Sequence, residues 1–227
     1  MPLPAEITSS IDLSRTAFVQ IDMQRRHVDP NVGYHLVDAA KASAIVGAST
    51  RLLRGVRASE ALMVHVATYA RRPAPWGMPD QGNPFWKYQH GKIIPGMGKP
   101  RDMFRNLEGS VYAEMMPELM PERDEPVVVK KRYSGFHQTD LEMILRARNT
   151  ETVFLWGVNT NNCVLATAYD AFSRDFLVAV VSDASGSMNG ESYHAAALKQ
   201  VEAALGFVVT VSEVEELLAG HPGSGRG

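Results

Sequence analysis

The chain has one cysteine among its 227 residues, so it cannot close an internal disulfide. That fits a protein kept in a reducing cytoplasm. It carries no excess of positive charge: 23 Lys and Arg stand against 25 Asp and Glu, for a formal charge of -2. A nucleic-acid binder usually shows a basic face, so no nucleic-acid partner is expected. No run of about 18 apolar residues occurs, so no membrane span is expected. The opening residues lack the basic-then-apolar order of a secretory signal. The turn after the first strand-like segment, Ile21-Asp22-Met23-Gln24-Arg25-Arg26, holds no glycine. A Rossmann dinucleotide site needs glycines there for close approach of the backbone to a pyrophosphate. No Gly-x-Ser-x-Gly elbow is present, which argues against a serine hydrolase.

What is present alternates. Apolar runs at 16–23, 62–68, 126–132, 152–158, 176–184 and 207–212 predict six strands. Between them lie segments with apolar residues at helical spacing, at 38–58, 140–149, 163–175, 192–205 and 213–220, with Thr139 or Asp140 placed to cap the second. Strands apolar on both faces, each followed by a helix, imply a mostly parallel sheet covered on both sides. The predicted fold is a three-layer α/β/α sandwich around six strands, formed by residues 1–227 as a single domain. One stretch, about 69–125, breaks the rhythm. It is dense in Pro, Gly and aromatic residues and reads as a lid over the site or a contact between subunits. The tail 221–227 reads as disordered.

In such a sheet, ligands sit beyond the carboxyl ends of the strands. Asp22 ends the first strand, Lys130 or Lys131 ends the third, and Cys163 follows the fourth after the turn Asn159-Thr160-Asn161-Asn162. A carboxylate, an ammonium and a thiol are the parts of a cysteine nucleophile. The acid takes the thiol proton and passes one to a leaving nitrogen. A helix N-terminus and an ammonium both favour the thiolate, with Asn161 or Asn162 as possible caps. The bland readings carry weight: a lone cysteine is most often a small buried hydrophobe. A lysine pair after a strand is usually a solvated edge.

Three segments resemble the isochorismatase-like cysteine hydrolases, in the branch of N-carbamoylsarcosine amidase, biuret hydrolase and ureidoacrylate amidohydrolase. They are Phe18-Val-Gln-Ile-Asp-Met-Gln24; Gly109–Leu119 followed by Val127–Arg146; and Leu155–Ala184, which includes Asn159-Thr-Asn-Asn-Cys163. The resemblance implies an isochorismatase-like, Rossmann-like fold and a catalytic set of Asp22, Lys130 and Cys163. Lys130 stands six residues before Phe136, as the family's lysine does; Lys131 is the runner-up. Also implied are a thioester intermediate, a cis peptide at Val158–Asn159 and oxyanion donors at the Asn159 and Cys163 N–H groups. It implies a homo-oligomer, dimer or tetramer, acting on a small-molecule amide, carbamoyl compound or ureide with release of ammonia. Metal-dependent relatives use an Asp-x-His pair, which is absent from this chain, so neither metal nor other cofactor is expected.

The first motif departs from the family. Asp-x-Gln-Asn-Asp-Phe is common there, whereas Arg25, Arg26 and His27 stand here. The arginines could pair with surface acids, or Arg25 or His27 could line the pocket and favour a polar or anionic substrate. Further candidates for substrate contact are Gln24, Tyr133 and Phe136, with Phe85, Trp86 and Tyr88 from the lid; each could equally be packing. Three other readings stand beside the amidase: a catalytically silent relative, a vinyl-ether-cleaving one and a nicotinamidase-like one.

Overall fold

The computed structural model describes residues 3–32, 37–72, 80, 82–93, 100 and 107–220. The tail 221–227 and much of the Pro- and aromatic-rich 74–100 stretch lie outside these residues, so the reading of the tail as disordered does too. Six strands form one sheet: β1 (Thr16–Ile21), β2 (Leu62–Thr68), β3 (Val127–Lys130), β4 (Thr152–Gly157), β5 (Leu177–Val181) and β6 (Gly206–Val209). Their order is β3-β2-β1-β4-β5-β6. Every pairing is parallel, where a mostly parallel sheet was expected.

Eight α-helices accompany the strands among the described residues: α1 (Ala5–Ser10), α2 (Arg25–Val28), α3 (Ala39–Arg57), α4 (Pro84–Gln89), α5 (Leu141–Ala147), α6 (Leu165–Phe172), α7 (Glu191–Ala204) and α8 (Val211–Gly220). Asp38 starts α3 by accepting from the N–H groups of Ala40 and Lys41. For α5 it is Thr139, not Asp140, whose hydroxyl accepts from the Leu141 N–H. The short α1, α2 and α4 have too few turns to show a periodic stripe, and the pattern at 213–220 misses the start of α8 by two residues.

Strand alternation builds two cores. Phe18, Met63, Phe154, Trp156, Ala179 and Val209 pack against Ile45, Leu52 and Leu53 of α3 and Val214 and Leu217 of α8. Phe18 stacks on Phe154 with ring centroids 4.7 Å apart. On the other face Val19, Ile21, Val64, Val66, Val128 and Leu155 meet Leu141 and Leu145 of α5, Ala168 and Ala171 of α6, and Val201 of α7. Each fully buried aliphatic or aromatic side chain contributes about 1.5–3 kcal/mol.

The reversal in strand order falls between β1 and β4, where a crevice opens at the strands' carboxyl ends. Close approach there has a sequence consequence. Gly157 has φ of 129°, and a Cβ at that position would lie 1.9 Å from the Ile21 carbonyl oxygen. Gly157→Ala should therefore lower the unfolding free energy by about 3 kcal/mol or more, from backbone strain and overpacking together. Urea denaturation measures it, and a loss under about 1 kcal/mol would contradict the close approach.

Candidate active site

Asp22 leaves β1 with φ of 51°, in the left-handed region. Its N–H donates to Val66 O at 2.8 Å, so the residue is still held by β2. Alternation would send Asp22 to the α3 side with Phe18 and Gln20; the left-handed turn ends that alternation. The carboxylate instead meets Lys130, with Oδ2 2.7 Å from Nζ and both side chains only 1% exposed. Oδ1 accepts from the Thr68 hydroxyl at 2.9 Å.

Lys130 reaches this point through the alternation of β3, in which Val127 and Val129 face outward while Val128 and Lys130 face inward. Its Nζ donates to Thr68 Oγ1 at 2.7 Å, to Arg132 O at 3.2 Å and to Cys163 Sγ at 3.3 Å. Lys131 points elsewhere: its ammonium donates to the Tyr69 carbonyl and lies 3.8 Å from Asp80. Thr68, at the end of β2, is the residue that sequence reasoning missed. A threonine at a strand end carries no signal of its own; only the pairing of Thr68 with Lys130 reveals it.

The sequence position of Cys163 predicts that it opens an α-helix, and it does not. It sits in one π-helical turn, Thr160–Val164, that precedes α6. The Asn159 carbonyl accepts from Asn162 and from Val164, passing over the Cys163 N–H. The Val158–Asn159 peptide is cis. No side chain caps this turn. Asn161 is occupied instead with Asn189 and Ser187, and Asn159 Oδ1 accepts from Met188 N–H, which laces the turn to the loop after β5. Cys163 is buried too, at 8% exposed against 1% for Asp22 and Lys130.

The charges settle unequally. Burial pushes the Asp22 carboxyl up, but the Lys130 ammonium and other contacts outweigh it, and the net shift is downward. Burial pulls Lys130 down, but the Asp22 charge, the neighbouring Cys163 and hydrogen bonds to both together outweigh it, and the net shift is upward. For Cys163, burial is the largest influence. Lys130 opposes it, the Asp22 charge adds to it, and the thiol is pushed up to about 12. The resting state is therefore carboxylate, ammonium and neutral thiol. The ammonium favours the thiolate, as its placement predicts, but burial and the neighbouring anion outweigh it.

The substrate-contact candidates divide. Gln24 is fully buried and spends its amide on Thr68 and Ala113, donating to both carbonyls and accepting from the Thr68 N–H. Arg25 pairs with Asp29 at 2.7 Å and Glu114 at 3.2 Å, the surface pairing. His27 is buried, with Nδ1 2.6 Å from the Asp22 carbonyl oxygen. Phe136 lies in the inner core, 6.1 Å from the Phe176 ring. Trp86 of α4 meets Tyr133 edge-on at 5.7 Å and donates to its hydroxyl, which docks the described part of the excursion onto the loop after Lys130. Phe85 and Tyr88 are exposed, at 59% and 63%. Described residues at the end of the excursion are tied to the turn that follows Asp22. Arg25 and Arg26 donate backbone N–H groups to Glu114 and Tyr112, and Met116 donates to Met23. Asp80, buried, accepts from Arg71.

Fold and site together define a doubly wound α/β protein with a carboxylate, an ammonium and a thiol gathered at its topological switch point. The family profile of the isochorismatase domain matches residues 16–213, and the chain belongs to that family, as an isochorismatase-family hydrolase. It is 29% identical over 211 residues to ureidoacrylate amidohydrolase RutB of Methylobacterium radiotolerans, covering 92% of this chain and 81% of that one. Among solved structures it resembles a cysteine hydrolase from Pseudomonas syringae pv. phaseolicola, at TM-score 0.76 and 25% identity, covering 93% and 95% of the two chains. It also shares the fold of N-carbamoylsarcosine amidase from Thermoplasma acidophilum, at TM-score 0.66 and 24% identity, covering 87% and 96%. No helix among the described residues is long and apolar enough to cross a membrane.

The site's histidine gives a measurable pH dependence of stability. Burial, and then the Arg26 charge, push His27 from 6.5 down to about 3. The folded state thus binds one proton fewer than the unfolded state between those values. Its contribution is complete above pH 6.5 and is lost as pH falls toward 3. Unfolding free energy should therefore drop with acid across this window. His27→Phe should flatten the slope by about 1.4 kcal/mol per pH unit. Parallel slopes in both proteins would contradict a neutral buried imidazole.

Proposed function

We propose that this protein is a metal-independent cysteine amidohydrolase that cleaves a C–N bond in a small linear amide, carbamoyl compound or ureide. The observation that carries the reading is the convergence of Asp22, 2.7 Å from Lys130, and Lys130, 3.3 Å from Cys163, on the sole thiol of the chain. The likeness to a protein named ureidoacrylate amidohydrolase supports the substrate class. The lack of an Asp-x-His pair in the sequence supports the metal-free chemistry.

The thiol at rest is neutral, so Asp22 acts as base during attack. Cys163 loses its proton to Asp22 while sulfur bonds to the substrate carbonyl carbon. The oxyanion so formed is received by the N–H groups of Asn159 and Cys163. Asp22 returns the proton to the leaving nitrogen, the C–N bond breaks, and ammonia departs from a thioester. A water then gives its proton to Asp22 and its oxygen to the carbonyl carbon; the C–S bond breaks and sulfur recovers the proton. The sum is amide plus water to acid plus ammonia. Lys130 keeps Asp22 ionised and oriented throughout. Trp86 and Tyr133 border the approach. Arg25, held by two acids, is not assigned to an anionic substrate. Sites of this kind act in oligomers in the family it resembles, and we place this chain in a homo-oligomer, in the cytoplasm.

The test is ammonia release from a panel of small amides, carbamoyl compounds and ureides, with Cys163→Ala as blank. Cys163→Ser, Asp22→Asn and Lys130→Ala should each lose about a thousandfold or more in kcat. Pairing any two should cost little further, because the groups act as a unit. Activity retained in Cys163→Ser, or multiplicative losses, would refute the mechanism. Activity should also survive dialysis against a chelator.

A further inference from the structure

We propose that His27 is a positioning residue for Asp22. Its Nδ1–H, donated to the Asp22 carbonyl oxygen at 2.6 Å, holds the left-handed turn that swings the carboxylate from the α3 layer to the layer of Lys130 and Cys163. Its effect on turnover rests on the amidohydrolase reading above.

Three observations support it. A carbonyl oxygen only accepts, so Nδ1 must carry the proton and the ring must be the donor. Leaving the ladder with φ of 51° turns the Asp22 carbonyl away from its strand neighbours, and the imidazole supplies that buried acceptor with its donor. The backbone that carries the ring is anchored. It sits in α2, whose first two N–H groups donate to Glu114 and Tyr112, and the His27 carbonyl accepts from Val37 N–H. The histidine is thus clamped from two sides and reaches back five residues to the base. Burial and the neighbouring Arg26 keep it neutral, at about 3, so it adds a fixed donor without a charge beside the Asp22–Lys130 pair. Phenylalanine fills the same volume but donates nothing; asparagine leaves a gap but places an amide N–H where Nδ1 stood.

That difference makes the test. Wild type, His27→Phe and His27→Asn are compared under conditions where thermal melts show each folded. Positioning predicts that His27→Phe, though stable, loses about a hundredfold in kcat with little change in KM, as expected for a misplaced reacting group. It predicts that His27→Asn, though less stable, keeps most of its kcat. The reverse order, Phe active and Asn inactive, makes the ring a filler and overturns the proposal. A second readout is independent of turnover. Cys163 is the only cysteine, so labelling with 13C at its Cβ gives a single resonance whose pH titration reports the thiol. Moving the carboxylate away removes a negative charge from beside the sulfur. Cys163 should then ionise at lower pH in His27→Phe and at the wild-type pH in His27→Asn. Identical titrations in all three proteins overturn the proposal. If wild type releases no ammonia from any amide, the amidohydrolase reading fails, and the titration alone decides the role of His27.

Discussion

The ion pair of Asp22 and Lys130, sealed at 1% exposure on each side, is the constraint to which the rest of the site conforms. Two charges taken out of water lose several kcal/mol of hydration each, and only close geometry with further hydrogen bonds offsets the loss. Each satisfying group comes from a different part of the chain. Thr68 bridges the pair from β2, accepting from the ammonium and donating to the carboxylate. The Arg132 carbonyl takes another ammonium proton. Removing one partner would strand the other, at a penalty of about 3–5 kcal/mol.

The thiol is governed by the same pair. Burial disfavours the thiolate most; Lys130 favours it, and the Asp22 charge adds to the opposition. An ionised sulfur would add a second anion to a dry site that already holds one. The arrangement thus keeps the proton on sulfur and an ionised carboxylate beside it. In the proposed mechanism, a base is thus in place before any substrate arrives.

A second polar chain, on the α3 side of the sheet, secures the strand that carries Lys130. Gln20 contacts His65 at 2.9 Å, His65 contacts Glu125 at 2.8 Å, and Arg57 donates two hydrogen bonds to Glu125 at 2.8 and 2.7 Å. Gln20 and Arg57 also hold the Leu119 and Met120 carbonyls. The segment that returns the chain from its excursion is tied to the sheet just before Val127. β3 therefore enters at a set height, and its alternation delivers Lys130, rather than Lys131, to Asp22.

Local pattern made much of this legible. Apolar runs marked all six strands, and helical spacing marked the five longer interstrand and terminal helices, because burial on two faces imposes composition directly on sequence. Position at strand ends singled out Asp22 and Cys163 and narrowed the lysine to a pair; the family resemblance pointed to Lys130. The left-handed turn at Asp22 left no mark, since aspartate is common in many conformations. Nor did the π-turn around Cys163 or the roles of Thr68, Gln24 and His27, because each depends on a partner more than forty residues away or on the direction a backbone takes after a strand ends. The sequence by itself determined the α/β/α class and which chemical groups stand at the strand ends. Only the tertiary structure decided which of them meet and in what charge state, because ion pairing, burial and hydrogen bonding depend on distances that strand order and register set.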